Sequence, residues 1–206
     1  MRIKFLNSGN TIYGIVVAMT STTITYLHEI DPTDSQALHL MANSAITEPR
    51  WSSAKAPHGF PLALDKWSII VRLTGNYTKS SPQSNVWYLI DASHVISVPV
   101  GSWELSYAGN FCYVCPSVGV SSGMQVTLST TQNSEADQDF SAFDYQSQNI
   151  AGNTRFFFAA RNKDVRLTGK TNYYLLLRDW YGGTVQLRVD GQSKGSLILK
   201  AKSAYL

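Results

Sequence analysis

The stretch NYYLLLRDWYGGTVQLRVDGQSKGSLILK, residues 172–200, decides the fold. Residues 173–177 are apolar on both faces, the pattern of a strand buried between two layers. Trp180-Tyr181-Gly182-Gly183 reads as a turn, because paired glycines reach the positive φ angles a tight hairpin needs. The next run alternates: Val185, Leu187 and Val189 point one way, and Thr184, Gln186 and Arg188 the other. That is the signature of a half-buried antiparallel strand. Asp190-Gly191 is a strong hairpin signal and predicts that residues 195–200 return as the partner strand. The expectation is three consecutive antiparallel strands joined by tight turns.

Working outward, β-prone runs recur along the chain. They occupy residues 12–19, 22–27, 67–73, 86–90, 94–98, 103–107, 111–115, 125–129 and 155–160. In residues 67–73, Ile69, Val71 and Leu73 share one face. Turn signals separate the runs, among them Thr20-Ser21 and Ala108-Gly109-Asn110. Short strands at regular spacing predict an all-β fold, an antiparallel two-sheet jelly-roll sandwich with a β-rich N-terminal extension. Residues 35–42, following Asp34 as a helix cap, read as the single short helix. Residues 74–85 and 130–152 read as polar loops, where a β scaffold commonly carries function. The chain divides into a β-hairpin or docking segment, residues 1–43, and a sandwich, residues 44–206, with Trp51 on an early strand. Residues 1–43 either complete the sandwich or tie it to a larger assembly.

The order LLLRDW, YGG, TVQLRV, DG near the C-terminus resembles concanavalin A-like domains of the laminin-G-like type. LDKWSIIVRLTG, residues 64–75, is similar to an early core strand of those domains, and RFFFAARN, residues 155–162, to the strand before their final hairpins. The resemblance covers roughly residues 60–200 and is architectural. It implies a jelly-roll sandwich whose relatives often bind calcium at the rim, and some of whose members are glycosidases.

Composition narrows the function classes. Charged residues are only 15% of the chain, so an uncharged Ser/Thr/Asn/Gln surface covers a core drawn from 44% hydrophobic residues. The net charge of +3 comes from scattered Lys and Arg, not from the basic stripe that nucleic-acid binding requires. No apolar run spans a bilayer, and the N-terminus lacks the apolar segment of a secretory signal. The expected product is made in the cytoplasm and placed on a virion surface. Cys112 and Cys115 form a lone Cys-x-x-Cys in aromatic, β-prone sequence. Without a second ligand pair or a helix N-terminus they read as ordinary structural thiols.

Three kinds of chemistry can be weighed. Glu135, Asp137, Asp139 and Asp144 are the densest acidity in the chain; they read either as calcium ligands or as a solvated loop. No other cofactor is implied. Glu135-Ala-Asp137-Gln-Asp139 falls short of the paired carboxylates on one strand that a glycosidase needs, so no catalytic residue is assigned. His28, His39, His58 and His94 have no nucleophile elbow beside them. Aromatic rings in turns and loops offer stacking platforms for sugars, with neighbouring amides to orient them. Trp180, Tyr181, Tyr77, Asn76 and Tyr145 are the candidate ligand-binding residues. The reading that joins these is a non-enzymatic binding and structural module on an assembled particle, such as a phage appendage or capsid decoration. Its expected partners are sister virion subunits, as a homo-oligomer, and a glycan or host-surface protein. A polysaccharide-cleaving enzyme and a purely architectural subunit are the alternatives.

Overall fold

In the computed structural model of the chain, the described residues are 2–28, 43–52, 68–99, 101–115, 119, 121–147, 153–191 and 195–204. The expected helix at 35–42 lies outside them. Among the described residues everything regular is strand, apart from a 3-10 turn at Gln138–Phe140.

The N-terminal sheet holds β1 (Arg2–Asn7), β2 (Asn10–Met19), β3 (Ile24–His28) and β4 (Ile46–Ser52), in the order β3-β2-β1-β4. Ser8 and Gly9, at φ +50° and +81°, make the two-residue turn between β1 and β2, as matches the strand twist. The β2–β3 hairpin expected around Thr20-Ser21 forms, closed by the Thr20 N–H on the Thr23 carbonyl at 2.9 Å. Ile3, Phe5, Ile12 and Val16 are this sheet's own small core, with Tyr26 edge-on to Phe5. Trp51 does lie on a strand, but β4 pairs with β1 and carries Trp51 68% exposed.

The sandwich is built around β9 (Gly101–Val114), a single strand of 14 residues. The turn expected at Ala108-Gly109-Asn110 is absent because Gly109 serves a different need. A Cβ there would come within 2.8 Å of Leu197 Cδ1, so the glycine admits a core leucine from the neighbouring strand. One edge of β9 pairs along its whole length with β12 (Thr154–Leu167). The other edge takes β14 (Gln186–Asp190) beside residues 111–114 and β15 (Leu197–Ser203) beside residues 103–108.

The two strands predicted to form the Asp190-Gly191 hairpin are therefore not partners. They run in the same direction along one edge, as a single strand broken by a detour. Gly191 sits where that broken strand meets the backbone of its other neighbour. Its N–H donates to the Gly75 carbonyl at 3.1 Å, and a Cβ would lie 2.6 Å from that same oxygen. The outer neighbour is broken at the same level, into β5 (Ser68–Leu73) beside β15 and β6 (Asn76–Ser80) beside β14. Residues 76–80, expected as part of a polar loop, are thus a strand. Ile69, Val71 and Leu73 face the core, as the alternation implied.

The second sheet holds β10 (Ser122–Ser129), β11 (Ala142–Gln146) and β13 (Thr171–Asp179), with β7 (Trp87–Tyr88) and β8 (Val95–Val98) sharing one edge of β13. Both edges of β13 are filled, so the segment after Trp180 has no place to pair beside it. The chain instead crosses to the other sheet, with Gly182 at φ +79° in the crossing. Residues 130–152 are expected as one long loop, but the described part, 130–147, contains the 3-10 turn and β11.

Counting each broken strand once, the described residues place four strands opposite four. The orders are β12, β9, β14/β15, β6/β5 and β11, β10, β13, β7/β8. The chain changes sheet at every connection except β10 to β11, which is the winding of a jelly roll. The expected fold class is the observed one. Between the sheets lie Trp103, Leu105, Tyr107, Phe111 and Tyr113 from β9, packed against Met124, Val126, Leu128, Leu175 and Leu177 from the opposite layer.

Candidate functional site

On β11 the period-2 rule turns Ala142 and Asp144 inward and Phe143 and Tyr145 outward. Across the sheet, Gly123 of β10 sits opposite Tyr145, and its carbonyl accepts the Trp180 N–H at 3.1 Å. A Cβ on Gly123 would approach Tyr181 Cδ2 to 3.3 Å and the Asp144 carbonyl to 2.9 Å. The missing side chain lets Tyr181 lie down beside Tyr145. Asp179, fully buried at the end of β13, accepts the Tyr181 N–H on Oδ1 at 3.2 Å and fixes the start of the turn.

The result is a row of four rings. Tyr145 and Tyr181 have centroids 4.6 Å apart, Tyr181 and Trp180 6.4 Å, and Trp180 and Phe143 5.7 Å. Their planes meet at 28–43°, so they form a shallow trough instead of a box. The trough encloses about 260 Å³ and is lined by these four residues and Asp144. Exposure runs from 38% for Trp180 to 67% for Phe143, unusual for rings in mutual contact. Beside the row the Arg178 guanidinium lies over Trp180 at 5.1 Å and over Trp87 at 4.6 Å. Arg178 also donates to Gln125 Oε1, whose amide nitrogen donates to Glu135 at 3.2 Å.

Three of the sequence candidates, Tyr145, Trp180 and Tyr181, are brought together here. Phe143 and Arg178 escaped the sequence reading. Phe143 sits in AFDYQ, whose alternation is a legible strand signal, while Arg178 closes an apolar run that reads as a buried strand. Asn76 and Tyr77 are elsewhere, on β6, where the Tyr77 ring packs on the core and meets His94 edge-on at 4.5 Å.

The four acidic candidates do not converge. Lys163 Nζ pairs with Asp137 at 2.6 Å and Asp139 at 2.7 Å, and holds the Asp137 carboxyl below its usual range. Glu135 accepts from Gln125 and Ser141. Asp144 accepts from Arg155 at 3.1 Å and from the Tyr113 hydroxyl at 2.9 Å; burial, then that carboxylate, pushes the Tyr113 phenol well above its ordinary range. Among the described residues no three His, Cys, Asp or Glu side chains gather as a metal site. The two cysteines are buried and form no disulfide, and burial raises the Cys112 thiol.

No protein-family model matches the chain. No curated protein matches it either. Among solved structures it is similar to a chain of "Structure of infectious bursal disease virus Gx strain", at 12% identity and a TM-score of 0.33. That alignment covers 95% of this chain and 46% of the other, so this chain spans under half the length of its match. Among the described residues no helix is long and apolar enough to cross a membrane.

Proposed function

We propose that the chain is a non-enzymatic binding and structural module on the surface of an assembled particle, a virion appendage or capsid decoration, and that it holds glycan in the aromatic trough. One observation carries the binding reading: four rings in contact, each more than a third exposed. Contiguous exposed aromatic surface is costly in water and marks an interaction site. Rings tilted by 28–43° offer broad faces to the apolar side of a sugar, whereas a compact cation needs a closed cage. The non-enzymatic reading is supported by Glu135, Asp137 and Asp139, whose oxygens are taken by Gln125, Ser141 and Lys163 and do not flank the trough. The particle setting draws on the low-charge surface and on a separate N-terminal sheet with its own core, suited to docking sister subunits as a homo-oligomer.

The test is a glycan array with wild type and Trp180→Ala, Tyr181→Ala and Phe143→Ala. Each variant keeps its circular dichroism and loses glycan binding about tenfold or more. Wild type that binds no glycan, or variants that bind as wild type does, would refute the trough reading. Light scattering checks the oligomer, and a monomer at all concentrations removes the assembly reading.

A further inference from the structure

We infer that the trough takes an acidic saccharide, its ring on Trp180 and Tyr181 and its anionic group on the guanidinium of Arg178. This rests on the trough binding sugar and adds the ligand's charge. Arg155 is matched by Asp144, and Lys163 by Asp137 and Asp139. Arg178 is not matched: among the described residues no carboxylate pairs with it, and its hydrogen-bond partner is the neutral Gln125. Glu135 acts at one remove, holding the Gln125 nitrogen and so turning the amide oxygen toward Arg178.

The guanidinium is half-buried between the faces of Trp87 and Trp180, an arrangement that fixes its plane. Its Nε is buried without a partner, and Nη2 is spent on Gln125. The Nη1 donors remain for a ligand. A planar cation held rigid by two rings and left unneutralised beside a sugar platform is complementary to an anion. Carboxylate and sulfate groups share that chemistry.

The experiment compares matched probes on the full chain: oligogalacturonate against its carboxyl-reduced counterpart, and dextran sulfate against dextran. Wild type prefers the acidic member of at least one pair by about tenfold, the scale of one charge-assisted hydrogen bond, and the preference shrinks as salt rises. The first pair alone identifies a carboxylate, the second alone a sulfate, and both a general anion. Arg178→Gln abolishes the preference while binding to the neutral members persists; Arg178→Lys, which keeps the charge, retains part of it. Equal binding of neutral and acidic members, or a preference that survives Arg178→Gln with its melting temperature intact, overturns the inference and leaves the trough reading standing. Failure to bind either kind of saccharide removes both.

Discussion

His94 makes the stability of this fold depend on pH in a calculable way. It sits where β7 gives way to β8, wholly buried, with neither ring nitrogen hydrogen-bonded among the described residues. Its backbone is fixed on both sides: the N–H donates to the Asp91 carbonyl at 3.0 Å, and its carbonyl accepts from Leu175 at 2.9 Å. Tyr77 blocks one side of the ring. Burial pushes the imidazole down from 6.5 to about 4, and the nearby Asp91 carboxylate offsets this only in part. Above pH 6.5 both folded and unfolded chains hold a neutral His94, and its stabilising contribution is complete. As pH falls from 6.5 toward 4, the unfolded chain takes up a proton that the folded chain refuses. Stability is then lost at about 1.4 kcal/mol per pH unit, about 3 kcal/mol over the whole window. Urea unfolding of wild type and His94→Leu, each at about pH 7.5 and pH 5, isolates the effect from the carboxylates. Wild type should lose about 2 kcal/mol more than the variant across that interval. Equal losses would refute the buried neutral histidine.

Three further outcomes follow from the geometry. Gly191→Ala drives a Cβ into the Gly75 and Leu73 carbonyls and should cost about 2–4 kcal/mol, more than Gly109→Ala, whose clash is with the movable end of Leu197. A hairpin glycine at 191 would reverse that order in denaturant melts. Lys163→Ala should return the Asp137 carboxyl toward its ordinary range, so that stability otherwise kept above the unfolded carboxylate pKa and lost on acidification is missing. An NMR titration of Asp137 reads this directly. Neither Cys112 nor Cys115 should react with a thiol reagent until the protein unfolds, and rapid native labelling would contradict their burial.

The alternation of Leu187 and Val189, and of Ile69, Val71 and Leu73, made the strands legible, because burial on one face writes a period of two into the sequence; Val185, expected on the same face, precedes β14 and is exposed. Pairing was not legible. Asp190-Gly191 and Gly109 each suggested a turn, yet both glycines are required by close backbone or side-chain approach, and sequence cannot tell these uses apart. Gly182 does turn the chain, but which edge receives the next strand depends on partners far away in sequence. The same limit governed the site. Trp180, Tyr181 and Tyr145 stood out as aromatics among turn and polar residues, while Arg178 gains its meaning only from Trp87, 91 residues earlier. The acids at 135–144 are close in sequence but do not gather, because Lys163 on β12 takes Asp137 and Asp139, Arg155 on the same strand takes Asp144, and Glu135 accepts from Gln125 and Ser141.

That strand also bears on how the protein behaves when crowded. β12 pairs on one side with β9, and among the described residues nothing pairs with its other side. A free edge of 14 residues is a template on which another chain's strand can grow. Along it Arg155 and Lys163 are held by Asp144, Asp137 and Asp139, while Arg161 and Arg166 bring charge to the edge, and charged side chains on an edge strand disfavour its pairing with another. Colloidal stability is thereby tied to ionic conditions: salt or a polyanion that screens Arg161 and Arg166 weakens the guard against edge-to-edge aggregation.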